Sequence, residues 1–121
     1  MTVTVNATLN SPNAGISVTS TGPSGAITSK SGTITTGGTS QILSANNAVR
    51  KHFEVQNPST ATENLYIGFG VTAINPATPT TIIRILVPGQ SYNMDVPGFI
   101  STDQINVYAA TTAHTFYAGE A

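Results

Sequence analysis

Apolar and polar residues alternate along much of this chain with a period of two. Residues 51–56 turn Phe53 and Val55 to one side, residues 65–69 turn Leu65, Ile67 and Phe69 to one side, and residues 80–87 do the same with Ile83, Ile85 and Val87. Residues 91–96, residues 104–110 with Ile105 and Val107 in phase, and residues 113–118 repeat the pattern. Side chains two apart share one face of a strand, so each run predicts a strand with the named residues facing a core. Turn-forming residues separate the runs: Asn57-Pro58-Ser59, Asn75-Pro76, Pro88-Gly89, Pro97-Gly98 and the Thr111-Thr112 step. No window of ten or more residues carries a helical period. The spacing predicts an all-β fold, a single β-sandwich, jelly-roll-like or Ig-like, over residues 41–121.

Residues 1–40 have a different texture. They contain one charged residue, Lys30, and no aromatic one, and Ser, Thr and Gly dominate. Thr2-Val3-Thr4-Val5-Asn6-Ala7-Thr8-Leu9 nevertheless alternates polar and apolar, and Ile16, Val18, Ile27 and Ile34 follow among β-branched threonines. Strand propensity is high there and core-forming bulk is low. Such a segment buries too little area to order itself, so it reads as an extended or strand-forming arm that lies on its own domain, a sister subunit or another surface.

Composition narrows the function. Charged residues make up 7% of the 121 residues, against roughly 25% in an ordinary soluble domain. Solubility then rests on hydroxyls and amides, and a partner is expected to cover part of the surface. The formal net charge of −1 comes from four basic and five acidic side chains, which argues against nucleic acid as a partner. No apolar stretch is long enough to span a membrane and the N-terminus has no export signal, so synthesis and retention in a host cytoplasm until assembly are expected. There are no cysteines, hence no disulfide framework and no thiolate metal site.

The candidate chemistry is sparse. Glu54, Glu63, Asp95, Asp103 and Glu120 show no spacing that would pair an acid with a base, and they read as solvated strand or turn carboxylates. His52 lies on the face opposite Phe53 and reads as a surface or interface histidine, and His114 reads as a structural hydrogen-bonding residue. Two distant histidines do not make a zinc site. Neither a Gly-x-Ser-x-Gly elbow nor a phosphate loop occurs, and Gly68-Phe69-Gly70 reads as a strand-to-loop transition. No catalytic, cofactor-binding or metal-binding residue is expected, and the chain reads as a non-enzyme. Arg50 and Lys51 open the first aromatic-bearing strand, where they form a small positive spot fit to dock on an acidic surface. Tyr66, Tyr92, Tyr108 and Tyr117 are the residues that sugar contact would use.

The run Arg50-Lys51-His52-Phe53-Glu54-Val55-Gln56-Asn57-Pro58-Ser59 with Leu65-Tyr66-Ile67-Gly68-Phe69-Gly70 resembles small virion proteins of tailed bacteriophages. Leu86-Val87-Pro88-Gly89-Gln90-Ser91-Tyr92 resembles a strand connection of such domains. Ile105-Asn106-Val107-Tyr108-Ala109-Ala110-Thr111 with His114 and Phe116 resembles their closing hairpin. The resemblance covers the chain from Arg50 to its end. It implies a capsid decoration or cement protein on the virion's capsid surface, bound to the major capsid protein and assembled as a homo-oligomer, with a trimer the expected form. The alternative it implies is a head-fibre or fibre-base module binding a host surface glycan or another virion protein. In the cement reading, Thr2, Val3, Thr4, Val5 and Leu9 add a strand to a neighbour's sheet edge while Arg50 and Lys51 touch the shell.

Overall fold

Each of the six alternating runs forms a strand in the computed structural model, which describes residues 25–78, 80 and 82–121. Thr2, Val3, Thr4, Val5 and Leu9 lie outside the described residues. The strands are β1 (Thr28–Ser29), β2 (Gly32–Thr33), β3 (Gln41–Ser44), β4 (His52–Gln56), β5 (Leu65–Phe69), β6 (Ile83–Leu86), β7 (Ser91–Asp95), β8 (Ile105–Tyr108) and β9 (Thr115–Glu120).

Two antiparallel sheets pack face to face as a β-sandwich. One has the order β1-β9-β4-β7, with β2 also on β9, and the other has the order β3-β8-β5-β6. β1 and β2 are one strand with an interruption, because both run along β9, from Thr28 opposite Glu120 to Thr33 opposite Thr115. At the break the Ser31 hydroxyl replaces the ladder: it accepts from Ala118 N at 2.9 Å and donates to Ala118 O at 3.2 Å. Counted so, β1/β2 pairs with β9, β3 with β8, β4 with β7 and β5 with β6. These are nested pairs, as if one long hairpin were wrapped around a core, and this is jelly-roll connectivity rather than the Ig arrangement.

The core is filled by the residues that the alternation marks. Phe53, Val55, Leu65, Ile67, Ile105 and Val107 are fully enclosed, with Leu86, Met94, Phe116 and Ala118 beside them and Phe69 and Tyr92 at the margin. Burying each large apolar side chain contributes about 1.5–3 kcal/mol. Ile34 is also in this core, so the described part of the Ser/Thr/Gly-rich segment is laid along β9 and contributes to the packing.

β6 departs from the expected phase. Ile83, expected inward, is buried at the strand's start and Leu86 is its core residue, whereas Ile85 and Val87, also expected inward, are about half exposed. The register explains the shift: Leu86 stands opposite Leu65 and Arg84 opposite Ile67, so Ile85 pairs with Tyr66 on the outer face. Arg84 takes the inward phase at the sheet edge and lays its guanidinium 5.2 Å from the centre of the Tyr92 ring. A run with apolar residues at 82, 83, 85, 86 and 87 satisfies both phases, and pairing alone selects one. β3 escapes the alternation because a bulge between Ile42 and Ser44 turns both Leu43 and Ser44 inward. At the end of β5, Gly70 has φ +66°, which L side chains rarely adopt, and it turns the chain out of the sheet as the Gly68-Phe69-Gly70 run predicts.

Candidate functional site

One end of the sandwich carries residues 45–51, between β3 and β4, and residues 96–104, between β7 and β8. Residues 25–27, Ala121 and the start of the β5–β6 connection at Gly70 lie at the same end. The two connections are tied together, since Asn47 N donates to Thr102 O at 2.9 Å and Lys51 O accepts from Val96 N at 3.1 Å. Asn47 also shapes its own turn, its Oδ1 accepting from Val49 N at 3.1 Å and its carbonyl from Arg50 N at 3.3 Å. Val49 is thereby held out in solvent, 78% exposed, and Phe99 after the Pro97-Gly98 turn is 85% exposed. Ile27 is largely exposed as well.

Beneath these residues lies a buried ion pair. Glu120 faces inward because it pairs with Phe53 and follows Phe116 and Ala118 in phase. Its carboxylate accepts from the Ser44 hydroxyl and the Asn47 amide, and Arg50 Nε lies 3.6 Å away. The rest of the Arg50 fork collects loop carbonyls: Ser101 O, Asp103 O at 3.1 Å and Ala45 O at 2.9 Å. A further bond of 3.4 Å runs to Ser44 Oγ. Burial pushes the Glu120 carboxyl up, but the hydrogen bonds from Ser44 and Asn47 and the charges of Arg50 and Lys30 outweigh it and hold the group below its ordinary value.

Two sequence expectations are corrected here. Arg50 is only 4% exposed and does not form an exposed positive spot, because its terminal guanidinium nitrogens bond to carbonyls inside the fold. Its neighbour Lys51 remains on the surface. Glu120 is not a solvated carboxylate but the buried partner of Arg50. The phase of Phe116, Ala118 and Glu120 is the sequence signal for it, hidden when the last strand is ended at residue 118.

On the outer face of β4, His52 Nδ1 contacts Asp95 Oδ1 across the strand pair, and Nε2 lies 3.5 Å from Glu54 Oε2. The hydrogen bond to Asp95 leads in raising the His52 pKa, opposed by partial burial and supported by both carboxylate charges. His52 is thus a half-buried, ion-paired surface residue, on the face opposite Phe53 as its phase requires.

The opposite end is closed by His114, as its structural reading anticipates. Its Nε2 meets Asn57 Oδ1 at 3.0 Å and its Nδ1 meets Glu63 Oε1 at 3.1 Å. Asn57, fully buried, donates to Glu63 O and Leu86 O at 2.9 Å each, which fixes its oxygen toward the imidazole. Glu63 also accepts from Thr111 N at 3.1 Å. The site that stands out chemically is therefore the first end, where exposed apolar side chains sit on a rigid charged base. Among the described residues, no group of three or more His, Asp or Glu side chains is arranged to hold a metal ion. Comparison with family models, curated proteins and solved structures finds no match to this chain.

Proposed function

We propose that this protein is a non-catalytic capsid decoration or cement protein, binding the major capsid protein of a tailed-phage shell through the Val49–Phe99 end of its sandwich. The observation that carries this reading is a coincidence of position. Ile27, Val49 and Phe99 are exposed at the end where Gly25 lies beside Ala121 and the chain continues into residues 1–24. An exposed aromatic with aliphatic neighbours on a rigid base is the composition of an interface anchor. The alternating sequence Thr2 to Leu9 is suited to adding a strand to a neighbouring sheet edge. Lys51, exposed on the same rim, supplies the positive charge for an acidic shell. Copies joined as a homo-oligomer would engage several shell sites together, which turns weak single contacts into firm retention.

The test is to mix purified protein with shells that lack it and to follow binding by co-sedimentation and electron microscopy. Saturable density at symmetric positions is the expected result. Absence of binding by folded protein rejects the reading.

A further inference from the structure

The outer face of the first sheet holds a second surface, unrelated to the docking end. Tyr117 is the most open of the four tyrosines, 53% exposed, and points away from the core on β9. Gln56 on β4 stands directly opposite it, and Ser91 on β7 stands opposite Gln56. In the next row Glu54 faces Asn93. With Ser31 these side chains line a shallow groove of about 250 Å³. Three strands by two rows give a footprint of roughly 10 by 7 Å, enough for one or two pyranose rings. Ile27 packs onto Gly119, two residues from Tyr117 on the same face, where a Cβ would lie 2.7 Å from the Ile27 methyl.

We propose that this groove binds a neutral saccharide, with the pyranose ring on the Tyr117 face and hydroxyls paired to Gln56, Asn93, Ser91 and Glu54. Tyr117, Gln56, Ser91 and Asn93 are exposed, and among the described residues none of their side chains is engaged in a hydrogen bond within the fold, so their donors and acceptors are open to a ligand. Planar amides and a carboxylate match vicinal hydroxyls, taking and giving hydrogen bonds in one plane. The aromatic face supplies apolar contact to the C–H side of the ring at little entropic cost. Glu54 lies in the groove and Asp95 next to it, and the imidazole between them, His52, is already paired to both. Anionic sugars and phosphates are repelled by that arrangement, which is why the ligand is neutral.

The experiment is an amide-resolved NMR titration of the full chain with neutral oligosaccharides of glucose, galactose, mannose and N-acetylglucosamine at millimolar concentration, with a sialylated oligosaccharide alongside. Saturable shifts centred on Gln56, Asn93 and Tyr117 are expected for a neutral member. Tyr117→Ala should weaken binding at least about tenfold, the equivalent of one well-made contact, and Tyr117→Phe should retain most of it. Gln56→Ala should weaken binding by a smaller factor, with thermal unfolding unchanged in all three. Absence of saturable shifts from every neutral sugar overturns the proposal, as does undiminished binding by Tyr117→Ala or preference for the sialylated probe. Shell binding by Tyr117→Ala should match that of the parent protein, since Tyr117 is no part of the docking end.

Discussion

The two ends of the sandwich are closed by polar side chains of different kinds. At one, Arg50 and Glu120 form an ion pair withdrawn from water and the rim above them is apolar. At the other, an amide and an imidazole meet, Asn57 with His114, and Glu63 and threonines form the rim. The connections account for the difference. Residues 45–51 and 96–104 are long and have few ladder bonds, so their carbonyls need a donor that can serve several at once. Arg50 serves three, with its guanidinium 5.9 Å from the centre of the Phe53 ring. At the other end two carbonyls remain to be satisfied, and the single amide of Asn57 does that. A buried charge at the first end is thus the means by which an irregular, apolar-tipped surface is made rigid.

The largest predicted effect comes from breaking the charged plug. Arg50→Ala leaves Glu120 without its cation and three carbonyls without a donor, and removing one partner of a buried pair costs about 3–5 kcal/mol. Urea unfolding should register that loss. Glu120→Leu combined with Arg50→Met should recover part of it, because no charge is then left unpaired. At the neutral plug, Asn57→Ala leaves two carbonyls and the His114 ring unsatisfied, with a predicted loss of about 2–3 kcal/mol. If the Asn57 variant proves the more damaging of the two, the ranking of the ends is reversed and the ion pair is a weaker fastening than its burial implies.

Two groups near the first end, Glu120 and His52, differ in their expected response to pH. The folded-state pKa of Glu120 lies below the ordinary 4.5, so its contribution is fully present above 4.5 and is lost as pH falls through the lower folded value. His52 shows the opposite sign. Its hydrogen bond to Asp95 leads in raising its pKa above 6.5, so its contribution is present below 6.5 and is lost as pH rises through the raised folded value. Unfolding free energy measured from acid to mildly alkaline pH should therefore fall on both sides. Glu120→Gln should flatten the acid limb and His52→Gln the alkaline one. The His52 change should be the smaller, since Asp95 is well exposed and water screens the pair.

The sequence made the sheet core legible wherever alternation was clean, as at Phe53 and Val55 or Ile105 and Val107. It misled where both phases carried apolar residues, as at Ile85 and Val87, and it was silent at β3, where a bulge breaks the period. β1 and β2 were hidden for another reason: two-residue pieces such as Thr28–Ser29 have no inward bulk and are strands only because β9 is beside them. Most of the candidate site lay beyond reach of local pattern. Arg50 shares the outward phase of His52 and Glu54, and only the Asn47 turn swings it under the loops. Tyr117 and Gln56 are 61 residues apart in the chain, and only the β4–β9 register makes them neighbours.

The smallest effect on stability should come from the rim that the charged plug supports. Phe99 and Val49 project into water and surrender almost no buried area when shortened, so Phe99→Ser with Val49→Ser should leave unfolding within about 0.5 kcal/mol of the parent. Shell binding should fall sharply in the same variant, because two exposed apolar anchors of that end are lost together. Arg50→Ala should also reduce binding, but by loosening the loops along with the fold, and the two losses should track each other through a urea series. Separation of docking from stability in the rim variant, against their coupling in the plug variant, is the signature of a rigid base presenting a separate contact surface. A rim variant that binds shells as well as the parent would move the contact to Lys51 or to residues 1–24.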